Sequence, residues 1–167
     1  MTTSTSLLTD GFERISALIH TTVEGLTPEQ LSTQIKPEAN TIAWLVWHLT
    51  RIQDSHLSEV RGEEQVWTSG GWCERFGLPF DPEATGYGQS SDEVAEVQGV
   101  GSGQLSGYFD AVHERTLGFV AGAGDADLEQ VVDTRWDPPV TLAARLVSVI
   151  ADDLQHAGQA AFIRGLL

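Results

Sequence analysis

The sequence predicts an all-α fold, a four-helix bundle with one long crossover loop between the second and third helices. Two observations carry that prediction. Four long stretches place apolar residues at three- and four-residue steps, the spacing of one helix face. Strand-like character is confined to a short extended stretch at 131–139. A chain of 167 residues is long enough to bury a sizeable core, and residues 1–167 are read as a single helical bundle domain.

Each element has its own reason. Leu7, Leu8, Phe12, Ile15, Leu18, Ile19 and Val23 trace one face of a first helix over residues 7–24. Gly25-Leu26 ends it. Thr27-Pro28-Glu29-Gln30 then reads as an N-cap, a proline at the first helical position and a capping-box glutamine, so a short helix follows. Asn40-Thr41 caps a second long helix that runs to about Arg61. Its first half, I-A-W-L-V-W-H-L, is apolar nearly all round and should be deeply buried. Residues 62–90 mix Gly, Pro and aromatics without periodicity, which predicts a long crossover loop whose aromatics pack rather than wander. Ser91-Asp92-Glu93 opens a helical stretch, and a third long helix covers about 102–121. Residues 121–127 are turn-rich. Asp137-Pro138-Pro139 blocks helix, and Thr141 caps a final helix over 141–165, ~37 Å long at 1.5 Å per residue.

Charge narrows the partners. Nine basic residues face twenty-four acidic ones, a net charge of −15. Phosphate repulsion opposes nucleic-acid binding and anionic membrane surfaces alike, and solubility is the plain role of such acidity. No apolar run reaches the ~18 residues of a bilayer span. The segment M-T-T-S-T-S-L-L-T-D-G has no basic leader region, and Cys73 is the only cysteine. A cytoplasmic protein is the expectation.

The last helix carries chemistry. In D-D-L-Q-H-A-G-Q-A-A-F-I-R-G-L-L (152–167), two carboxylates, an imidazole and an amide sit among apolar residues. Buried charge is costly unless something pairs with it or binds it. Asp152 and His156 are four apart, on one face, with Val149 and Ile163 beside them. His48 is the matching feature on the second helix, among Trp44, Leu45, Leu49 and Ile52. Two histidines and one carboxylate from facing helices suit an open three-ligand metal site. Zinc accepts that set, and nickel, iron or manganese also use it. The competing reading is a hydrogen-bonded core histidine and a solvated helix end.

The neighbours have two readings each. Asp153 either replaces Asp152 as ligand or sits outside; helix geometry favours Asp152. Gln159 either bonds to a group behind the ligands or lies on the rim. Arg145 either binds an anionic substrate or makes a surface salt bridge, the commoner outcome. His20, His56 and His113 read as surface or ordinary core. Arg51 and Asp54 are set to pair as i, i+3 neighbours in a structural role. Cys73 reads as a packed thiol rather than a ligand or nucleophile. Trp67, Trp72 and Phe76 read as folding the crossover onto the bundle, or else as the mouth of a site.

T-I-A-W-L-V-W-H-L-T-R-I-Q-D (41–54), G-G-W-C-E-R-F-G-L-P (70–79) and the final sixteen residues together resemble the DinB-like superfamily. The likeness is nearest to its actinobacterial branch, related to mycothiol-dependent transferases and to the metal-binding domain of mycothiol-dependent maleylpyruvate isomerase. It runs in order over nearly the whole chain. It implies a four-helix bundle, usually with a divalent metal and often as a homodimer. Many relatives hold the metal with three histidines. His48 and His156 match two of those positions, and Asp152 stands where many relatives have the third histidine and some an acidic residue. The activity implied is transfer of a low-molecular-weight thiol to a small electrophile. A metal-binding or sensing bundle without catalysis, and a metal-dependent hydrolase, are the alternatives.

Overall fold

Capping chemistry sets where the helices begin. A computed structural model describes residues 2–167. Its long helices are α1 (Ser4–Val23), α3 (Ile42–Arg61), α7 (Ser102–Gly122) and α9 (Leu142–Arg164). Short helices stand between them: α2 (Pro28–Leu31), α4 (Val66–Ser69), α5 (Trp72–Phe76), α6 (Ser91–Ala95) and α8 (Asp125–Leu128). Thr27 and Gln30 form the expected reciprocal box ahead of α2. The Thr41 hydroxyl accepts the Trp44 N–H at 3.0 Å, and the Thr141 hydroxyl accepts the Ala144 N–H at 3.3 Å. Each satisfies an N–H that the helix itself leaves unpaired. The extended stretch becomes a small antiparallel hairpin, β1 (Val131–Asp133) with β2 (Val140–Thr141), in which Val131 faces Thr141.

The fold is the expected all-α bundle. Side-chain links fix its directions. Arg164 donates to the Thr22 and Glu24 carbonyls, and Ile150 lies against Gly11, so α1 and α9 run parallel. His20 meets Asp110 and Thr5 meets the Ala123 carbonyl, so α7 runs against α1. Tyr108 bonds to Asp54 and Arg61 to the Arg115 carbonyl, so α3 and α7 run the same way. Two successive helices of like direction need a connection that travels the bundle's full length. That requirement is the physical reason for the long crossover. The crossover is more ordered than a loop: α4 and α5 lie within residues 62–90, with Trp67 and Phe76 buried.

Every residue of α3 from Ile42 to Arg51 is buried, as its all-round apolar sequence requires. Helices α3 and α1 each pack on both α7 and α9. Phe12, Ile15, Leu45, Leu49, Phe109 and Leu146 fill the centre with at most 1 % exposure, so anything polar there needs an account.

Candidate metal centre

His48 comes round to the α9 side two turns after the Thr41 cap. Asp152 and His156 lie one turn apart on α9, which runs antiparallel to α3. The three side chains therefore meet. One ligand atom from each lies within 4.8 Å of the others.

Both imidazoles are already oriented. His48 Nδ1 is 2.5 Å from the Thr85 carbonyl, and His156 Nδ1 is 2.9 Å from the Asp152 carbonyl. A carbonyl only accepts, so each Nδ1 carries the proton and each Nε2 presents a bare lone pair. Asp152 Oδ2 is buried, 3.4 Å from His156 Nδ1, and has no hydrogen-bond partner among the described residues. A buried carboxylate oxygen without a donor is costly. A cation would relieve it. The residues present therefore fit a divalent ion. The mixed nitrogen and oxygen set suits zinc, nickel, iron or manganese.

The electrostatics favour a ligand form at His48 and Asp152, while at His156 a cation has to compete with a proton. Burial pushes the His48 imidazole below its ordinary value, against the Thr85 carbonyl, which favours the charged form. His48 is thus neutral, the form a metal needs. The Asp152 side chain raises His156 despite burial. Burial pushes Asp152 up, and the His156, His48 and His56 imidazoles outweigh it, leaving the carboxyl below its usual range. Asp152 is therefore ionised.

One wall of the centre comes from the crossover. Trp44 stacks on His48 with centroids 4.5 Å apart and planes at 13°. Its Nε1–H donates to Gln89 Oε1 at 2.7 Å. Gly86 has φ 93°, and a Cβ there would stand 2.8 Å from His48 Nδ1. Only glycine fits that left-handed, close-packed position. Nothing in the sequence marked Thr85, Gly86 or Gln89 as belonging with His48, except the turn chemistry of Gly86 and Gly88 around Tyr87.

The other candidates are placed differently. Asp153 is outside the three-residue group. It is fully buried, neither oxygen has a partner among the described residues, and burial, then the charge of Asp152, raises it well above the carboxylate range. It is a neutral acid in the core. Gln159 is exposed and makes no hydrogen bond to the group among the described residues; it borders a mostly apolar cavity of about 440 Å³ with Leu45, Phe162 and Ile163. Arg145 makes the salt bridge of the commoner reading, but in the interior rather than at the surface. It is 5 % exposed, so it is no surface bridge, and its guanidinium is occupied by Asp133 and Glu59, each at 2.9 Å. It also meets His56 Nδ1, so His56 is a half-buried neighbour of the centre rather than a surface residue. His20 is exposed against Asp110, and His113 stacks on Phe109. Burial raises the Cys73 thiol, which disfavours its nucleophilic form. Trp67, Trp72 and Phe76 pack around Tyr108 and fold the crossover onto α7.

The all-α bundle is of the DinB-like type. Residues 7–167 match the family described as mycothiol-S-transferase. The chain belongs to that family. A crystal structure of a conserved protein from Enterococcus faecalis is similar over 99 % of this chain and 98 % of that one, with 30 % identity and a TM-score of 0.92. No curated protein sequence matches. Among the described residues no helix is long and apolar enough to cross a membrane.

Proposed function

We propose that the protein is a divalent-metal-dependent thiol S-transferase, with the ion held by His48, Asp152 and His156 and a mycothiol-type thiol as cosubstrate. The observation that carries this reading is the convergence of two imidazoles, each with Nδ1 against a carbonyl, and a carboxylate with an unpartnered buried oxygen, in a chain of the mycothiol-S-transferase family. A divalent ion bound there supplies the positive charge that keeps a thiol in its nucleophilic thiolate form. His48 and His156 contribute no charge and Asp152 contributes one negative charge, so the site keeps net positive charge for an anionic sulfur. Trp44 and the Thr85–Gln89 segment exclude water from one side of His48. In the transfer, the sulfur lone pair forms a C–S bond, and the leaving group departs with its bonding electrons. The thiol proton goes to solvent. In the same proposal the chain acts as one domain, paired as a homodimer in the cytoplasm.

Element-resolved mass spectrometry of the purified protein tests it, beside His156→Ala, with conversion of an electrophile assayed with and without added thiol. About one divalent ion per chain, lost in the variant, together with thiol-dependent conversion, supports the proposal. Metal without turnover points to a binding or sensing bundle. Turnover without thiol points to a hydrolase.

A further inference from the structure

Arg51 is fully buried, one turn beyond His48 on α3. A guanidinium in a core is costly unless its donors are all used. Here they are spent on the crossover. Nε donates to the Ala84 carbonyl at 3.1 Å and Nη2 to the Pro82 carbonyl at 3.1 Å. Nη1 donates to Gln65 Oε1 at 2.6 Å, and the group lies over the Trp67 ring at 4.9 Å. Asp54 is its nearest carboxylate, but at 3.9 Å. The Asp54 oxygens are committed elsewhere, to the Val66 and Trp67 N–H groups at 2.9 and 2.8 Å and to the Tyr108 hydroxyl at 2.9 Å. Asp54 holds the first part of the crossover at α4. Arg51 touches that part at Gln65 and Trp67 and also holds the later part at 82–84.

The next carbonyl along the chain is that of Thr85, the acceptor for His48 Nδ1. Peptide planes are rigid, so fixing the carbonyls of residues 82 and 84 leaves few torsions with which Thr85 can swing away. We propose that Arg51 is a positioning residue for the metal centre: it fastens the crossover so that the Thr85 carbonyl accepts the hydrogen bond from His48 Nδ1–H and Nε2 stays bare. The consequence for metal affinity rests on the function proposed above; the consequence for the His48 tautomer does not.

The test is nitrogen-15 imidazole NMR on metal-free protein, at a pH where His48 is neutral, with zinc affinity measured by chelator competition. The proteins are wild type, Arg51→Met, Arg51→Lys and Asp54→Asn. Wild type should show His48 as the Nδ1–H tautomer. Arg51→Met should show mixed tautomers and bind zinc about 10–100-fold more weakly, the usual cost of losing an outer partner of a ligating histidine. Arg51→Lys, which keeps the charge but not the fork, should fall between and carries the test if the Met variant does not fold. Asp54→Asn should melt at lower temperature, with the His48 tautomer unchanged and zinc affinity within about twofold, the scale of a merely structural change. An unchanged tautomer in both Arg51 variants would overturn the proposal. So would an Asp54→Asn variant that shifts tautomer and affinity as far as Arg51→Met. If wild type binds no zinc, the metal reading fails, and the tautomer data still decide the role of Arg51.

Discussion

His48 and His156 are held by different partners, and the difference predicts how each fails. His156 depends on its own helix, through the Asp152 carbonyl and side chain. Asp152→Asn keeps the size and removes the charge. It should weaken metal binding by on the order of 100-fold, the upper end of what the loss of an outer partner costs, with little change in helix content by circular dichroism. His48 depends on the crossover. Gly86→Ala forces a Cβ to 2.8 Å from Nδ1 at φ 93°. It should cost about 1–3 kcal/mol by chemical denaturation and weaken metal binding in parallel, because the wall cannot close without moving the ring. How legible these residues were follows from the same difference. Asp152 and His156 stand at i, i+4 on an apolar face, a local pattern any helix displays, and His48 lies in an all-apolar run that had to be buried. Thr85 and Gly86 reach His48 from 37 and 38 positions away, and no local periodicity encodes that contact. The salt bridge of Arg145 was legible, but its burial was not, because its partners Asp133 and Glu59 come from a hairpin and from another helix.

At the scale of elements, the hairpin is tied to the bundle by charge. Asp133 accepts from Arg135 at 2.8 Å and from Arg145 at 2.9 Å, and Glu59 of α3 accepts from both arginines. The hydrogen bonds of Arg135, with the charge of Arg145 behind them, hold the Asp133 carboxyl well below the usual carboxylate range. Its folded value is thus depressed below its unfolded value of about 3.9. The stabilisation is complete above that value and is lost as pH falls toward the folded one. Asp133→Asn should therefore melt below wild type at neutral pH, and the gap should narrow as pH drops below about 4. A gap that stays constant with pH would show that the carboxylate charge is not what ties the hairpin down. The long helices were readable from their caps and periods. The crossover was not, because α4 and α5 are four and five residues long, too short to show a period, and they exist by packing Trp67 and Phe76 on Tyr108.

Across the whole molecule, direction explains connection. With α1 and α9 running one way and α3 and α7 the other, only the α3–α7 link must traverse the bundle. In this chain that link lies against His48 and Trp44, which joins bundle topology to the candidate centre. The same arrangement leaves Val147, Leu154 and Phe162 exposed on α9, within about 80° of one another around the helix. They offer a face for the proposed homodimer. Leu154→Glu with Phe162→Glu should convert a dimer to a monomer in sedimentation velocity, while a wild type that sediments as a monomer would remove the dimer from the account. The central claim, metal-dependent thiol transfer at His48, Asp152 and His156, is tested most directly by the initial rate of thiol conjugation as a divalent ion is titrated into chelator-stripped protein. The account predicts a rate that rises with metal, saturates near about one ion per chain, vanishes without thiol and stays at background in Asp152→Ala. A rate indifferent to metal, or an Asp152→Ala protein as active as wild type, would contradict it.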